Sequence, residues 1–87
     1  MSKDTLLEFP CRFSIKAFGH RDTDFEDIVL QLVQPHAAEL ERNDLSRKLS
    51  SGGRYVAVTV PIIARSQAQL DAIYQDLTDH DAVIMSL

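Results

Sequence analysis

The chain has one cysteine, no tryptophan, three glycines and three prolines in 87 residues. With Cys11 alone no internal disulfide can form, and the cytoplasm is the expected compartment. Gly19, Gly52 and Gly53 compose neither a Gly-x-Gly-x-x-Gly fingerprint nor a Walker loop, so a nucleotide site of either kind is excluded. Ser14, Ser46, Ser50 and Ser51 lack a nucleophile-elbow context. No apolar run approaches the roughly 20 residues of a membrane span. Two carboxylates, Asp4 and Glu8, stand where a secretory signal has an unbroken apolar stretch, so none is expected. Positive charge is also short. Nine Lys and Arg against 13 Asp and Glu leave a net charge of −4, which argues against generic attraction to nucleic acid or anionic membrane.

What is present is an ordinary globular mixture, 45% hydrophobic and 25% charged, in a length that allows one domain. Its charge is blocked along the chain. Residues 22–41 and 66–87 hold ten carboxylates and no Lys or Arg, whereas residues 42–65 hold five basic residues and one acid. Whether these blocks become two faces depends on the fold.

Cys11, Phe13, Ile15 and Ala17 alternate with Arg12, Ser14 and Lys16, the period of a strand with one buried face, until Gly19-His20-Arg21 breaks the pattern. Thr23 to Glu26 has capping-box spacing, and Phe25, Ile28, Val29 and Leu32 follow as one helix stripe that Pro35 should end or kink. Leu45–Ser50 and Tyr55–Val60 form a hairpin across Ser51-Gly52-Gly53-Arg54, the Gly-Gly pair supplying positive φ angles. Its register sets Leu49 opposite Val56, Arg47 opposite Val58 and Leu45 opposite Val60, with Val56, Val58, Val60 and Ile62 facing the core. Pro61 implies that pairing on one side has stopped by that point. Ser66 to Gln69 is a second capping box, and Leu70, Ile73, Tyr74 and Leu77 a second stripe. From Ala82 to Leu87, Val83, Met85 and Leu87 are expected inward and Ala82, Ile84 and Ser86 outward.

Strand, helix, strand, strand, helix, strand is the order of a ferredoxin-like βαββαβ sandwich. This α+β fold has a four-stranded antiparallel sheet in order 4-1-3-2 with two helices on one face. Residues 1–10 read as an N-terminal extension and residues 11–87 as the single domain.

Leu6-Leu7-Glu8-Phe9-Pro10, followed by an alternating strand ending at Gly19, resembles the start of the YbeD-like family of small bacterial proteins. The similarity runs over nearly the whole chain, through the hairpin around Gly53-Arg54-Tyr55 to the terminal strand with Met85 and Leu87. Pro35 and the Leu40-Glu41-Arg42-Asn43 connection depart from it. The resemblance implies a ferredoxin-like fold similar to ACT-type regulatory domains, with no established activity and no catalytic residues. It also implies an association with lipoate-attachment genes, which is not a mechanism.

The residues offer three candidate sites. His20 and His80, with Asp22, Asp79 and Asp81 near them, offer nitrogen and oxygen ligands, but nothing has metal-ligand spacing, and no metal or cofactor is expected. Cys11 with Arg12 beside it and His36 within the fold's reach is a thiol–base pairing, against which an ordinary buried thiol is far commoner. Gly19, His20, Arg21 and Asp22, at the first helix N-terminus, are the ligand-binding candidates of an ACT-like sensor for an amino acid or related anion.

The open sheet face carries the leading expectation. Arg12, Lys16, Phe18, Lys48, Tyr55 and Ile84 fall on its outward positions, a basic and apolar mixture opposite an acidic helical layer. It points to a non-enzymatic regulatory or protein-interaction module, with an unidentified protein or a second copy as partner. RNA binding on the same face ranks third, since Arg12, Ser14 and Lys16 stand where an RNA-recognition sheet carries stacking aromatics. No salt-sensitive, submicromolar affinity for single-stranded RNA is therefore expected in fluorescence anisotropy at physiological salt. Tight binding lost in a Tyr55→Ala, Lys48→Ala double variant would make RNA the leading partner.

Overall fold

Ten consecutive antiparallel pairs join the two long strands, β1 (Cys11–His20) and β3 (Tyr55–Ala64), from Cys11↔Ala64 to His20↔Tyr55. The structure is a computed structural model that describes residues 7–87; Met1–Leu6, the start of the expected extension, lie outside the described residues. The period of two sends Ile15, Ala17 and Gly19 to the same side as Val56, Val58, Val60, Ile62 and Ala64, and all are buried. Strand β2 (Ser46–Leu49) pairs with β3, and β4 (Met85–Ser86) with β1. The sheet order β2-β3-β1-β4 is the expected one, read from its other edge. Leu7 and Phe9 of the expected extension pack against the core.

β1 runs further than its alternation suggested, because Gly19 is a strand residue and not a breaker. It pairs with Val56 and is buried beneath Phe25, the first residue of helix α1 (Phe25–Val33). A Cβ at Gly19 would collide with the Phe25 ring. Glycine is required here by close approach.

The start of α1 also departs from expectation. The Thr23 hydroxyl donates to the His20 carbonyl at 2.8 Å, closing the turn after β1, so it does not cap the helix. Asp24 holds the N-cap position without a side-chain capping bond. The deeply buried residues are Phe25, Val29 and Val33, while Ile28 and Leu32 are half-buried. The stripe is rotated from the expected one, and Leu32 instead lines a shallow depression with Asp76, Asp79 and His80. Pro35 ends the helix as expected, in a 3₁₀ turn over Gln34–His36.

The connection to β2 is anchored by buried Ala37 and Leu40, with Gln34 Nε2 donating to the Leu40 carbonyl at 2.7 Å. The hairpin register is the expected one, Leu49↔Val56 and Arg47↔Val58, although Leu49 at the sheet edge remains 44% exposed. Of the two turn glycines only Gly53 has a positive φ, 74°. The Ser50 amide donates to the Tyr55 carbonyl at 2.9 Å, which directs the odd-numbered backbone groups of β3 toward β2. Pro61 continues that series beyond the end of β2, where no ladder bond is lost.

Helix α2 (Gln67–Asp79) begins as expected, with the Gln69 amide donating to Ser66 Oγ at 3.0 Å, and buries Leu70, Ile73 and Leu77. Gln69 completes no reciprocal box. Its Oε1 accepts from the Arg65 amide at 2.6 Å and its Nε2 donates to the His36 carbonyl at 2.8 Å, tying α2 to the end of α1.

The last strand is the largest correction. β4 is two residues long, and its pairs Ala17↔Ser86 and Phe18↔Met85 put Met85 on Phe18's side of the sheet and Ser86 on the buried side. The expected parity is inverted. Ile84, assigned outward with Ser86, precedes the strand. It is exposed, and its amide donates to the Phe18 carbonyl at 2.8 Å.

Gly19→Ala should destabilise the fold by about 1–3 kcal/mol, the usual cost of overpacking. Phe25→Leu in the same chain should recover part of that loss by removing the ring. Equal denaturant midpoints for Gly19→Ala and wild type would contradict the packing described.

Candidate functional site

The outward sides of β1 and β3 carry paired side chains. Arg12 opposes Ile63, Lys16 opposes Thr59, Phe18 opposes Ala57, and His20 opposes Tyr55. β2 adds Lys48 beside Ala57, and β4 adds Met85 beside Phe18. The His20 and Tyr55 rings pack at 5.3 Å between centroids, tilted by 41°. Tyr55 is 40% exposed and Met85 48%. No strand position on this side holds a carboxylate.

At the hairpin end lies a concavity of about 480 Å³ lined by Lys16, Phe18, Lys48, Leu49, Tyr55 and Ala57, with Ser50 and Ser51 on its rim. Its origin is in the register, since the short Ala57 side chain stands between Phe18 on β1 and Lys48 on β2. A second concavity of about 470 Å³, at the opposite end, lies where Arg12 and Phe13 meet Leu40, Asp44 and Pro61. Among the described residues no ion pair engages Arg12, Lys16 or Lys48.

Glu39 and Asp44 line this second concavity, and other acids gather at the helices. Asp24, Glu26 and Asp27 gather at the start of α1 around Arg42, which pairs directly with Asp27 and approaches Glu26 at 3.6 Å and Asp24 at 4.0 Å. Arg65 pairs with Glu39 at 3.3 Å, and His36 Nε2 lies 2.7 Å from Asp76 Oδ2.

A family profile described as "Protein of unknown function (DUF493)" matches residues 4–87. A UPF0250 protein of Chromobacterium violaceum is 45% identical over 85 residues, covering 98% of this chain and 96% of its own. One from Nitrosomonas europaea is 38% identical over the full length of both chains. The chain belongs to the DUF493 family. The YbeD-like resemblance of its sequence is to this same family. The solution structure of protein HP0495 from H. pylori matches with a TM-score of 0.68 at 20% identity, covering 99% of this chain and 90% of that one. That likeness supports the α+β fold.

Within this DUF493 chain the Gly19–Asp22 residues do not converge. Gly19 is buried under Phe25, and His20 turns to Tyr55 on the open face. Arg21 binds the hairpin, its amide donating to the Arg54 carbonyl at 3.0 Å and its Nη1 to the Gly53 carbonyl at 3.3 Å. Asp22 is exposed. The neighbouring hollow between Arg21, Phe25 and Arg47 measures about 70 Å³ and is also lined by Asp24 and Glu26.

The histidines have separate tasks. His80 Nδ1 accepts from the Ala82 amide at 3.0 Å, and among the described residues no three His, Cys, Asp or Glu side chains are arranged to hold a metal ion. His36 is engaged by Asp76, not by Cys11. Lys16, Phe18, Lys48 and Tyr55 do line one concavity, while Arg12 lies toward the other end of the face and Ile84 precedes the paired residues of β4. The residue that sequence reasoning missed is Met85. Its parity is unreadable because Ala82 to Met85 are all apolar.

Crowding marks the titration of the acidic end. The Asp24 carboxyl is raised above its ordinary value, chiefly by its hydrogen bond with Asp27 and then by desolvation, with Arg42 opposing. Glu39 is lowered, chiefly by a hydrogen bond from its own amide and further by Arg65. A raised folded-state value means that Asp24 adds stability below its unfolded value and loses that contribution as pH rises through the folded one. Arg42→Gln should therefore raise the Asp24 midpoint further in a carboxyl-carbon NMR titration. The variant should also lose more stability than wild type as pH climbs through the carboxylate range. An unchanged Asp24 midpoint would show that Arg42 does not hold the cluster.

Proposed function

We propose that this DUF493 chain is a non-enzymatic regulatory or interaction module that docks a protein partner through its open sheet face. One observation carries the reading: the cations of that face make no ion pair among the described residues, beside exposed Tyr55 and Met85, while Asp24, Glu26 and Asp27 gather around Arg42 at the start of α1. An apolar centre with a charged rim is the anatomy of an interface, and like-signed charge steers a partner of the opposite sign. Nothing comparable supports catalysis. His36, the base considered for Cys11, is hydrogen-bonded to Asp76.

The sensor reading for Gly19, His20, Arg21 and Asp22 has less support. Three carboxylates (Asp24, Glu26 and Asp27) occupy the helix start that an anion would need. Among the described residues no helix is long and apolar enough to cross a membrane.

Tyr55→Ser with Met85→Ser is the corresponding test, because both side chains are exposed and outside the buried core. The double variant should keep wild-type thermal stability while its partners, identified by crosslinking and quantified affinity capture, are depleted. Truncation of interfacial anchors costs about 1–3 kcal/mol each, so the loss should be plain. A variant that captures the same proteins with the same affinity and oligomeric state would leave this face merely solvated.

A further inference from the structure

The docking surface has a shape that specifies its partner's chemistry, and that specification rests on the interaction reading of the open face. Ala57 lies on β3 with Lys48 opposite it on one side and Phe18 on the other, and Lys16 stands two residues further along β1, opposite Thr59. The two lysines thus stand diagonally across β3. Strand spacing and rise put their Cα atoms about 12 Å apart. The hollow opens from the Lys48 end of this diagonal toward the hairpin, floored by Ala57 and walled by Phe18 and Tyr55 with Lys16 at its border, and its roughly 480 Å³ accommodates an apolar side chain.

We propose that this hollow receives an extended segment of a partner protein in which an apolar anchor is flanked on each side, two residues away, by a carboxylate. In an extended chain residues i and i+4 share a face and lie about 13 Å apart, which matches the lysine pair; the residue midway stands over β3 between Ala57 and Thr59, where a leucine-sized side chain reaches the hollow over Ala57. The positions i+1 and i+3 point away and are unconstrained. Charge complementarity selects the carboxylates, because among the described residues Lys16 and Lys48 make no ion pair. The small Ala57 selects the anchor, since any larger residue there would fill the hollow.

The probe is the acetylated, amidated pentapeptide Glu-Ser-Leu-Ser-Glu, titrated into the isotope-labelled full chain and followed by amide NMR. Saturable shifts are expected at Phe18, Lys48 and Ala57, weakening as salt is added. The Gln-Ser-Leu-Ser-Gln peptide should bind roughly tenfold more weakly, as should the acidic peptide to Ala57→Leu with its spectrum still folded. Lys16→Glu with Lys48→Glu should lose the acidic peptide and gain Lys-Ser-Leu-Ser-Lys, a rescue that a folding defect cannot mimic. The inference is overturned by absent shifts, by equal binding of the Gln peptide, by unchanged binding to Ala57→Leu, or by hexanoate binding as tightly as the peptide. If the peptide fails while Tyr55→Ser with Met85→Ser still depletes partners, the acidic motif falls and the docking surface stands. If both fail, the face is not a working surface.

Discussion

The ten-rung pairing of β1 with β3 is the constraint on which the rest of this molecule depends. A strand's side chains alternate strictly, so once Ile15 is opposite Val60 every neighbour is assigned to a face. The inward set is wholly apolar and takes the helices. The outward set is then obliged to hold Arg12, Lys16, Phe18 and Tyr55 together, and Lys48 joins them through the hairpin register. A one-residue slip would bury Lys16 and expose Ile15, a cost that no surface interaction could offset.

Pairing also explains why charge separates in space as it does along the chain. The acidic blocks form α1, α2 and their flanks, while Arg12, Lys16, Arg47 and Lys48 lie in strands and Arg21, Arg42, Arg54 and Arg65 in the connections beside them. At the start of α1 the carboxylates exceed what the helix dipole favours, and the excess is held by Arg42 from the connection before β2. That connection, anchored by buried Ala37 and Leu40, contributes to the fold although it reads as irregular. Asp24, Glu26, Asp27 and Glu39 are held by Arg42 and Arg65, and none of these pairs involves the lysines of the open face.

Most of the fold was legible because alternation and helix stripes are strong where polar and apolar residues contrast. β1, β3, the hairpin register, the Ser66 cap and the Leu70–Leu77 stripe all have that contrast. The failures share a physical cause, which is that local signals admit two readings. Gly19 reads as a breaker, yet it is a strand residue kept small by the Phe25 ring. Thr23 has the spacing of a cap, yet its hydroxyl is spent on the His20 carbonyl. Ala82-Val83-Ile84-Met85 has no polar phase marker, so only pairing with β1 could tell Met85 from Ile84. Four residues of the open face, Lys16, Phe18, Lys48 and Tyr55, were legible as one set because they depend only on the two well-phased strands and the hairpin. The concavity among them was not, since it arises from the smallness of Ala57 between neighbours on two other strands.

The central claim is that the Lys16 and Lys48 amines are covered when the protein is at work. Amine-acylation footprinting, read by mass spectrometry in intact cells that make the protein and again on the purified chain, measures this directly. Both lysines should react markedly more slowly in the cell than in the purified protein, and the difference should vanish on lysis into high salt. Equal reactivity of Lys16 and Lys48 in both settings would contradict the account.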